Sequence, residues 1–103
     1  MPNPRIEPLK RVLAMEPNDD VAWFGLGKAY MDDGNWAEAA QALRQCVTVK
    51  PTYSAAYLAL AQSLQKLGRI DECRNVCLTG IEVSAKNGDA MVTKNLEMLK
   101  ASL

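Results

Sequence analysis

The sequence predicts an all-α chain, a solenoid of antiparallel helix pairs, on three observations. The chain matches itself at an offset of about 34 residues, the length of one helix–turn–helix unit. Two of the units divide at a glycine, Gly34 and Gly68, which supplies the positive φ that a tight interhelical turn needs. On either side of each glycine the apolar residues return at helical spacing.

The self-match is dense. It pairs Trp23 with Tyr57, Leu26 with Leu60, Trp36 with Ile70, Glu38 with Glu72 and Ala39 with Cys73, then Leu43 with Cys77, Val47 with Ile81 and Val49 with Val83. Upstream, Pro51, Leu43, Val47 and Val49 find Pro17, Leu9, Leu13 and Met15, so the chain opens in the second half of a unit. Downstream, Tyr57 meets Met91 and Leu64 meets Met98, and one solitary helix closes the chain. One domain follows over 1–103, divided into a half-unit helix at 1–17, full repeats at 20–53 and 54–87, and a capping helix at 88–103.

Each element has its own punctuation. Asn3 and Pro4 form an N-cap and first-turn proline, but Pro8 would clash inside a formed helix. The first helix therefore either kinks there or starts near Glu7. Ile6, Leu9, Val12 and Leu13 make its apolar stripe, with Lys10 and Arg11 pointing away. Asp19 and Asp20 open the next helix, where carboxylates cap free amides and complement the dipole. The alternative for this acid pair, general acid–base chemistry, lacks a nucleophile or imidazole beside it. Asn35 and Glu38 have the spacing of a capping box for the return helix, and Asp71 and Glu72 open the corresponding helix after Gly68.

At this point the chain resembles a family, the tetratricopeptide (TPR) repeat. The resemblance rests on the period and on Trp23, Leu26, Gly27, Tyr30, Ala39, Leu43 and Pro51. The second copy is weaker: Ala61, Leu64 and Ala85 replace the family's Gly, Tyr and Pro. The resemblance implies that Gly27, Ala29, Ala39 and Cys46 let paired helices approach while Trp23, Leu26, Tyr30 and Leu43 fill the gaps between units. A unit of this size cannot bury its own apolar face, so both ends need a lid. At the C-terminus Met91, Leu96, Met98 and Leu99 are expected to dock while Lys94, Glu97 and Lys100 meet water. Gly80, which costs about 1 kcal/mol inside a helix, is expected to repay that by close packing against this lid.

Size and composition bound the function. A chain of 103 residues hides roughly 65% of its unfolded surface, enough for a modest core. Twelve basic and twelve acidic residues leave no net field, so neither nucleic acid nor an anionic membrane is an implied partner. The opening residues Met1 to Arg5 lack the apolar run of a secretory signal, and no stretch is long enough to span a bilayer. A cytoplasmic location is the expectation. Three cysteines, an odd number in a chain with no export signal, argue against a disulfide scaffold, and the lack of any histidine argues against a metal site. Cys73 and Cys77, one turn apart, with Cys46, offer thiolates to a metal; the alternative, adopted here, is that all three pack as small hydrophobes and that no metal or cofactor is held. No glycine-rich phosphate loop or nucleophile–base pair marks an enzyme.

The expected function lies on the surface left over. In TPR proteins the first helix of each unit lines a groove. Carried onto this chain, the inward positions are Val21, Phe24, Lys28, Met31 and Asp32, then Ala55, Leu58, Ala59, Gln62, Gln65 and Lys66. Phe24, Met31 and Leu58 are apolar where a spacer would be polar, which points to binding of a peptide or amphipathic segment of a protein partner. The competing reading makes them core. A subclass of the family grips chaperone C-termini with a two-carboxylate clamp; the corresponding Phe24, Lys28, Ala59, Asp89 and Thr93 keep a single base, which argues against it. Lys28 has the spacing to pair with Asp32, and Asp32-Asp33 sits at a helix C-terminus that disfavours it, as a contact for a basic partner or a solvated turn. The runner-up function is self-association, a two-fold homodimer covering the stripe at Ile6, Leu9 and Leu13.

Overall fold

A computed structural model describes residues 3–103; Met1 and Pro2, the head of the expected half-unit, lie outside the described residues. Six helices follow one another: α1 (Ile6–Met15), α2 (Asp20–Asp32), α3 (Trp36–Val49), α4 (Ser54–Lys66), α5 (Ile70–Lys86) and α6 (Ala90–Ala101). Helices α1 to α5 each pack on the next, α1 touches no helix but α2, and α4 also touches α2 and α6. The even-numbered helices thus form one layer and the odd-numbered helices the other, in a body of 36 × 26 × 20 Å. This is the all-α TPR solenoid that the 34-residue period predicts.

Local chemistry sets the boundaries. Pro8 is the third residue of α1, where the missing N–H would have had no intrahelical partner, so the helix starts just before Glu7 and needs no kink. Asn3 does not cap it as expected. Its carbonyl accepts from the Ile6 amide at 3.1 Å and its Oδ1 from the Arg5 amide at 2.9 Å, closing a turn ahead of the helix. At α2 the carboxylate reading holds, since Asp19 Oδ1 accepts from the Ala22 amide at 3.0 Å.

The turn after α2 carries Gly34 at φ 72°, and Gly68 and Gly88 repeat it at 73° and 71°. In that turn the Asn35 amide donates to the Tyr30 carbonyl at 2.9 Å, as in a Schellman closure. The expected capping box at Asn35 and Glu38 is therefore absent. The amide that Glu38 would have had to reach is already spent, and Asn35 makes no side-chain cap. The other joint is made by a proline and an aromatic ring. Trp23 Nε1 donates to the Pro17 carbonyl at 2.8 Å, and its repeat partner Tyr57 donates through Oη to the Pro51 carbonyl at 2.7 Å.

The third such joint breaks the pattern. Pro51 lacks an amide proton and stops α3 at Val49, but Ala85 takes the proline's place after α5. Without that block α5 runs to 17 residues against 14 for α3, and turns at Gly88. Helix α4 starts 34 positions after α2 (Asp20 to Ser54), but α6 starts 36 positions after α4 (Ser54 to Ala90). The shift turns α6 on its axis relative to the strict repeat.

The core runs the length of the stack. Adding a Cβ to Gly27 would bring it 2.5 Å from Leu43 Cγ, and one on Gly80 would lie 2.7 Å from both Leu96 Cδ1 and Tyr57 Cβ. Both glycines are close-approach sites, Gly80 against the C-terminal helix as expected. Cys46, Cys73 and Cys77 are free and fully buried. Burial pushes the Cys46 and Cys77 thiols up to about 11 and raises Cys73 as well, so all three are protonated at neutral pH. Two donate across helix pairs, Cys46 to the Asp20 carbonyl at 3.4 Å and Cys73 to the Ala61 carbonyl at 3.2 Å.

Candidate functional site

The even-numbered layer carries the positions that the resemblance assigns to a groove. On α2, Val21 is 65% exposed, while Phe24, Lys28 and Met31 are half-buried. Phe24 stacks on Tyr53, at the head of α4, with ring centroids 5.0 Å apart. Both Phe24 and Met31 also press on the core, so each divides its surface between interior and solvent. On α4, Ala55 and Leu58 are half-buried, and Gln62, Gln65 and Lys66 are exposed. Lys66 Nζ stands 5.7 Å over the Trp36 ring.

Three expectations on this face are corrected. Ala59 is 3% exposed and belongs to the core; it lies about 100° around the helix from Leu58 and so turns inward. Lys28 makes no ion pair with Asp32. Arg5 takes that carboxylate, Nη2 to Oδ2 at 2.6 Å, and the Asn3 amide donates to Asp33 Oδ2 at 2.9 Å. The acid pair at the end of α2 is thus an anchor for the N-terminal segment, not a solvated turn.

The third correction concerns α6. Met91 and Met98, expected to dock, are 73% and 62% exposed. Leu96 is buried as expected and Leu99 packs beside it, but Val92 and Leu103 take the places expected of the methionines. Two hydrogen bonds orient the helix. Thr93 Oγ1 meets Ser84 Oγ of α5 at 2.6 Å, and Ser102 Oγ accepts from Gln65 Nε2 of α4 at 3.4 Å. At about 100° per residue, Met91 and Met98 fall within about 40° of Ser102, on the flank toward α4. The methionines therefore border the face that α2 and α4 present, while Lys94 lies farther round the helix, in a cleft it lines with Thr93 and Glu97 beside the end of α5. Strict application of the 34-residue offset hid this; the signal was Ala85 in the proline's place. With α6 in its true register, Met91 and Asn95 replace Asp89 and Thr93 at the clamp positions, and neither adds a base.

A further cleft lies elsewhere, on the odd-numbered side between α1 and α3. It holds about 690 Å³ over a floor of Leu26 and Tyr30, rimmed by Lys10, Glu38 and Arg44. Its counterpart between α3 and α5 holds about 330 Å³ and is bridged by Arg44 and Glu72 at 2.9 Å. Lys10 and Glu38 occupy the same two repeat positions but leave the wider cleft open, because Lys10 leans over the Tyr30 ring at 6.0 Å. Neither cleft carries a buried charged group.

Known proteins agree with this architecture. The tetratricopeptide-repeat family model matches residues 6–45 and 30–93. A TPR repeat-containing protein of Pseudomonas aeruginosa is 33% identical over 98 residues, which is 95% of this chain and 93% of that protein. A peroxisomal targeting signal receptor of Eremothecium gossypii is 30% identical over 86 residues; the match covers 84% of this chain but 15% of the receptor. Among solved structures, the Sgt2 TPR domain from Aspergillus fumigatus superposes with a TM-score of 0.80 at 22% identity, covering 94% of this chain and 64% of that one. Protein BPP2914 from Bordetella parapertussis gives 0.79 at 29% identity, covering 94% and 84%. With the family model reaching from residue 6 to 93, this chain belongs to the tetratricopeptide-repeat family, whose fold is a protein–protein interaction module.

Proposed function

We propose that this protein is an adaptor without chemistry of its own, which binds a peptide or amphipathic segment of another protein along the α2/α4 face. The observation that carries it is the row of partly exposed apolar side chains at Val21, Phe24, Met31 and Leu58, continuous on one face and flanked by Lys28, Gln62, Gln65 and Lys66. A polar-rimmed apolar strip of this kind is the usual mark of an interaction surface. The partly matching receptor is named for recognising a targeting signal, which fits the same mode. The proposal takes 20–53 and 54–87 as the two full repeats, flanked by 1–17 and 88–103. A cytoplasmic location belongs to it too: three free, buried thiols suit a reducing compartment, and no helix among the described residues is long and apolar enough to cross a membrane.

The test is capture from a native lysate by the immobilised chain, compared with a Phe24→Ala/Leu58→Glu variant. The variant is expected to keep its helical circular dichroism and lose the captured protein. Parallel loss of fold and capture would make both residues core and end the proposal.

The homodimer reading has less to rest on. Ile6 and Leu13, two members of its stripe, are already buried on α2, at 7% and 8% exposure. Leu9, the third member, is half-buried, and sedimentation across a concentration series decides the reading.

A further inference from the structure

We propose that Asn87 is a site of spontaneous covalent modification, a deamidation clock in the turn that seats α6, and that the folded chain holds the reaction back. Of the six asparagines in the chain, only Asn87 is followed by glycine. A glycine amide has no side chain to screen it from the neighbouring side-chain carbonyl, so this pair is the reactive one. The turn itself demands that glycine, because Gly88 sits at φ 71°, where a residue with a Cβ is strained. The residue that closes the turn is thus also the one that exposes it to the reaction. Asp33 before Gly34 has the same successor, but a carboxylate is a poor electrophile.

The reaction needs only water. Hydroxide takes the Gly88 amide proton, and the nitrogen attacks Asn87 Cγ. As that C–N bond forms, the Cγ–Nδ2 bond breaks, and Nδ2 takes a proton from water and leaves as ammonia. Water then opens the cyclic imide at either carbonyl. One cut restores the main chain with aspartate at the position; the other leaves isoaspartate, in which the chain runs through Cβ and Cγ.

The fold opposes the first step, and the product undoes part of the fold. Asn87 Nδ2 donates to the Thr52 carbonyl at 2.8 Å and to Ser54 Oγ at 2.7 Å, tying the turn to the head of α4. A main-chain carbonyl can only accept, which fixes the atom facing Thr52 as the amide nitrogen. Asn87 lies at φ −77° and ψ −8°, a helical conformation that keeps the Gly88 nitrogen off the approach to Cγ. The Gly88 amide is itself held by the Ala85 carbonyl at 3.1 Å. Attack therefore waits for the turn to open.

The atom expelled is the one that makes the tie. A carboxylate in its place sets oxygen against the Thr52 carbonyl, and of the two former acceptors only the Ser54 hydroxyl can turn to donate to it. Isoaspartate does more. It lengthens the main chain inside the closure from the Asp89 amide to the Ser84 carbonyl at 2.9 Å, beside the Ser84–Thr93 contact that orients α6. Tyr53, whose ring stacks on Phe24, sits between the two residues that Asn87 holds, so the loosening reaches the head of α4.

The test ages the intact chain in mildly alkaline buffer, folded and in urea, and follows every asparagine by peptide mapping with separation of aspartate from isoaspartate. Asn87 is expected to convert first in both conditions, and about tenfold faster in urea, since only the folded chain has to open. Ser54→Ala removes one acceptor and leaves the reacting pair intact; it is expected to raise the folded rate about threefold and to leave the rate in urea unchanged. Asn87→Asp installs one product directly, and amide hydrogen exchange in α6 is expected to speed up about threefold while α1 stays as it was. Earlier conversion at another asparagine, or equal rates in the folded chain and in urea, overturns the proposal. An unchanged folded rate in Ser54→Ala overturns the tie as the brake, and unchanged α6 exchange in both Asn87→Asp and the aged, isoaspartate-bearing chain overturns the consequence for the fold.

Discussion

The two ends of this solenoid are held by different physics. At the N-terminal end α1 rests on α2 alone, burying Ile6 and Leu13 and laying Leu9 over Gly25, where an added Cβ would lie 3.4 Å from Leu9 Cδ1. The rest of the attachment is polar and at the surface: the Arg5–Asp32 pair, with side chains 52% and 59% exposed, and the Asn3 amide on Asp33. At the C-terminal end α6 touches both α4 and α5, drives a fully buried Leu96 into the notch that Gly80 leaves, and adds the Ser84–Thr93 contact beside it. An exposed ion pair is worth little net free energy, whereas a buried leucine against a glycine notch is worth several kcal/mol. The difference teaches that a terminal helix of similar length is a loose flap or a fixed wall depending on whether its neighbour provides a notch.

Three measurements probe that difference, in falling order of effect. Leu96→Ala removes the C-terminal key and is expected to cost about 3 kcal/mol, read as a lower urea midpoint; a loss below about 1 kcal/mol would erase the contrast between the ends. Gly80→Ala comes next. Its Cβ would meet Tyr57 Cβ, which sits on a backbone that cannot swing aside, so overpacking of about 2 kcal/mol outweighs the gain of about 1 kcal/mol in helix propensity. The net is a loss of about 1 kcal/mol, and a gain in melting temperature would show that the notch is not tight. Because Leu96 and Gly80 touch, the double variant is expected to lose less than the sum of the two. Smallest is Arg5→Ala, expected to change global stability by less than about 0.5 kcal/mol. It should nevertheless speed amide hydrogen exchange in α1 and leave α6 unchanged. Equal exchange rates in α1 and α6 of the unaltered protein would break the comparison at its root.

Much of this molecule is legible from particular residues. Gly34 and Gly68 fix the turns because only a residue without Cβ takes positive φ cheaply, and Pro17 and Pro51 fix the joints because they cannot continue a helix. Asp19 caps α2 as its position predicts. The misreadings share one cause, which is competition for a group or a position from elsewhere. Asn35 has the sequence of a capping box, but the Tyr30 carbonyl holds its amide. Asp32 has the spacing to meet Lys28, but Arg5, 27 positions away in the chain, arrives with better geometry. Ala59 lies among groove positions by family pattern and is turned inward by one step of the helix.

The sequence alone determined the number of helices, the period and the all-α class, because these follow from local spacing, glycine and proline. It also determined that the three cysteines would be core, since each falls at a repeat position reserved for a small or apolar core residue. Only the tertiary structure decided how α6 sits. Ala85 removes a stop signal, α5 grows by three residues over α3, and the final helix then rotates until Val92, Leu96 and Leu99 find the core and Met91 and Met98 do not. A missing proline lets a helix lengthen, but where the next helix comes to rest depends on which of its faces buries the most apolar surface. That choice is made by packing between helices distant in the chain.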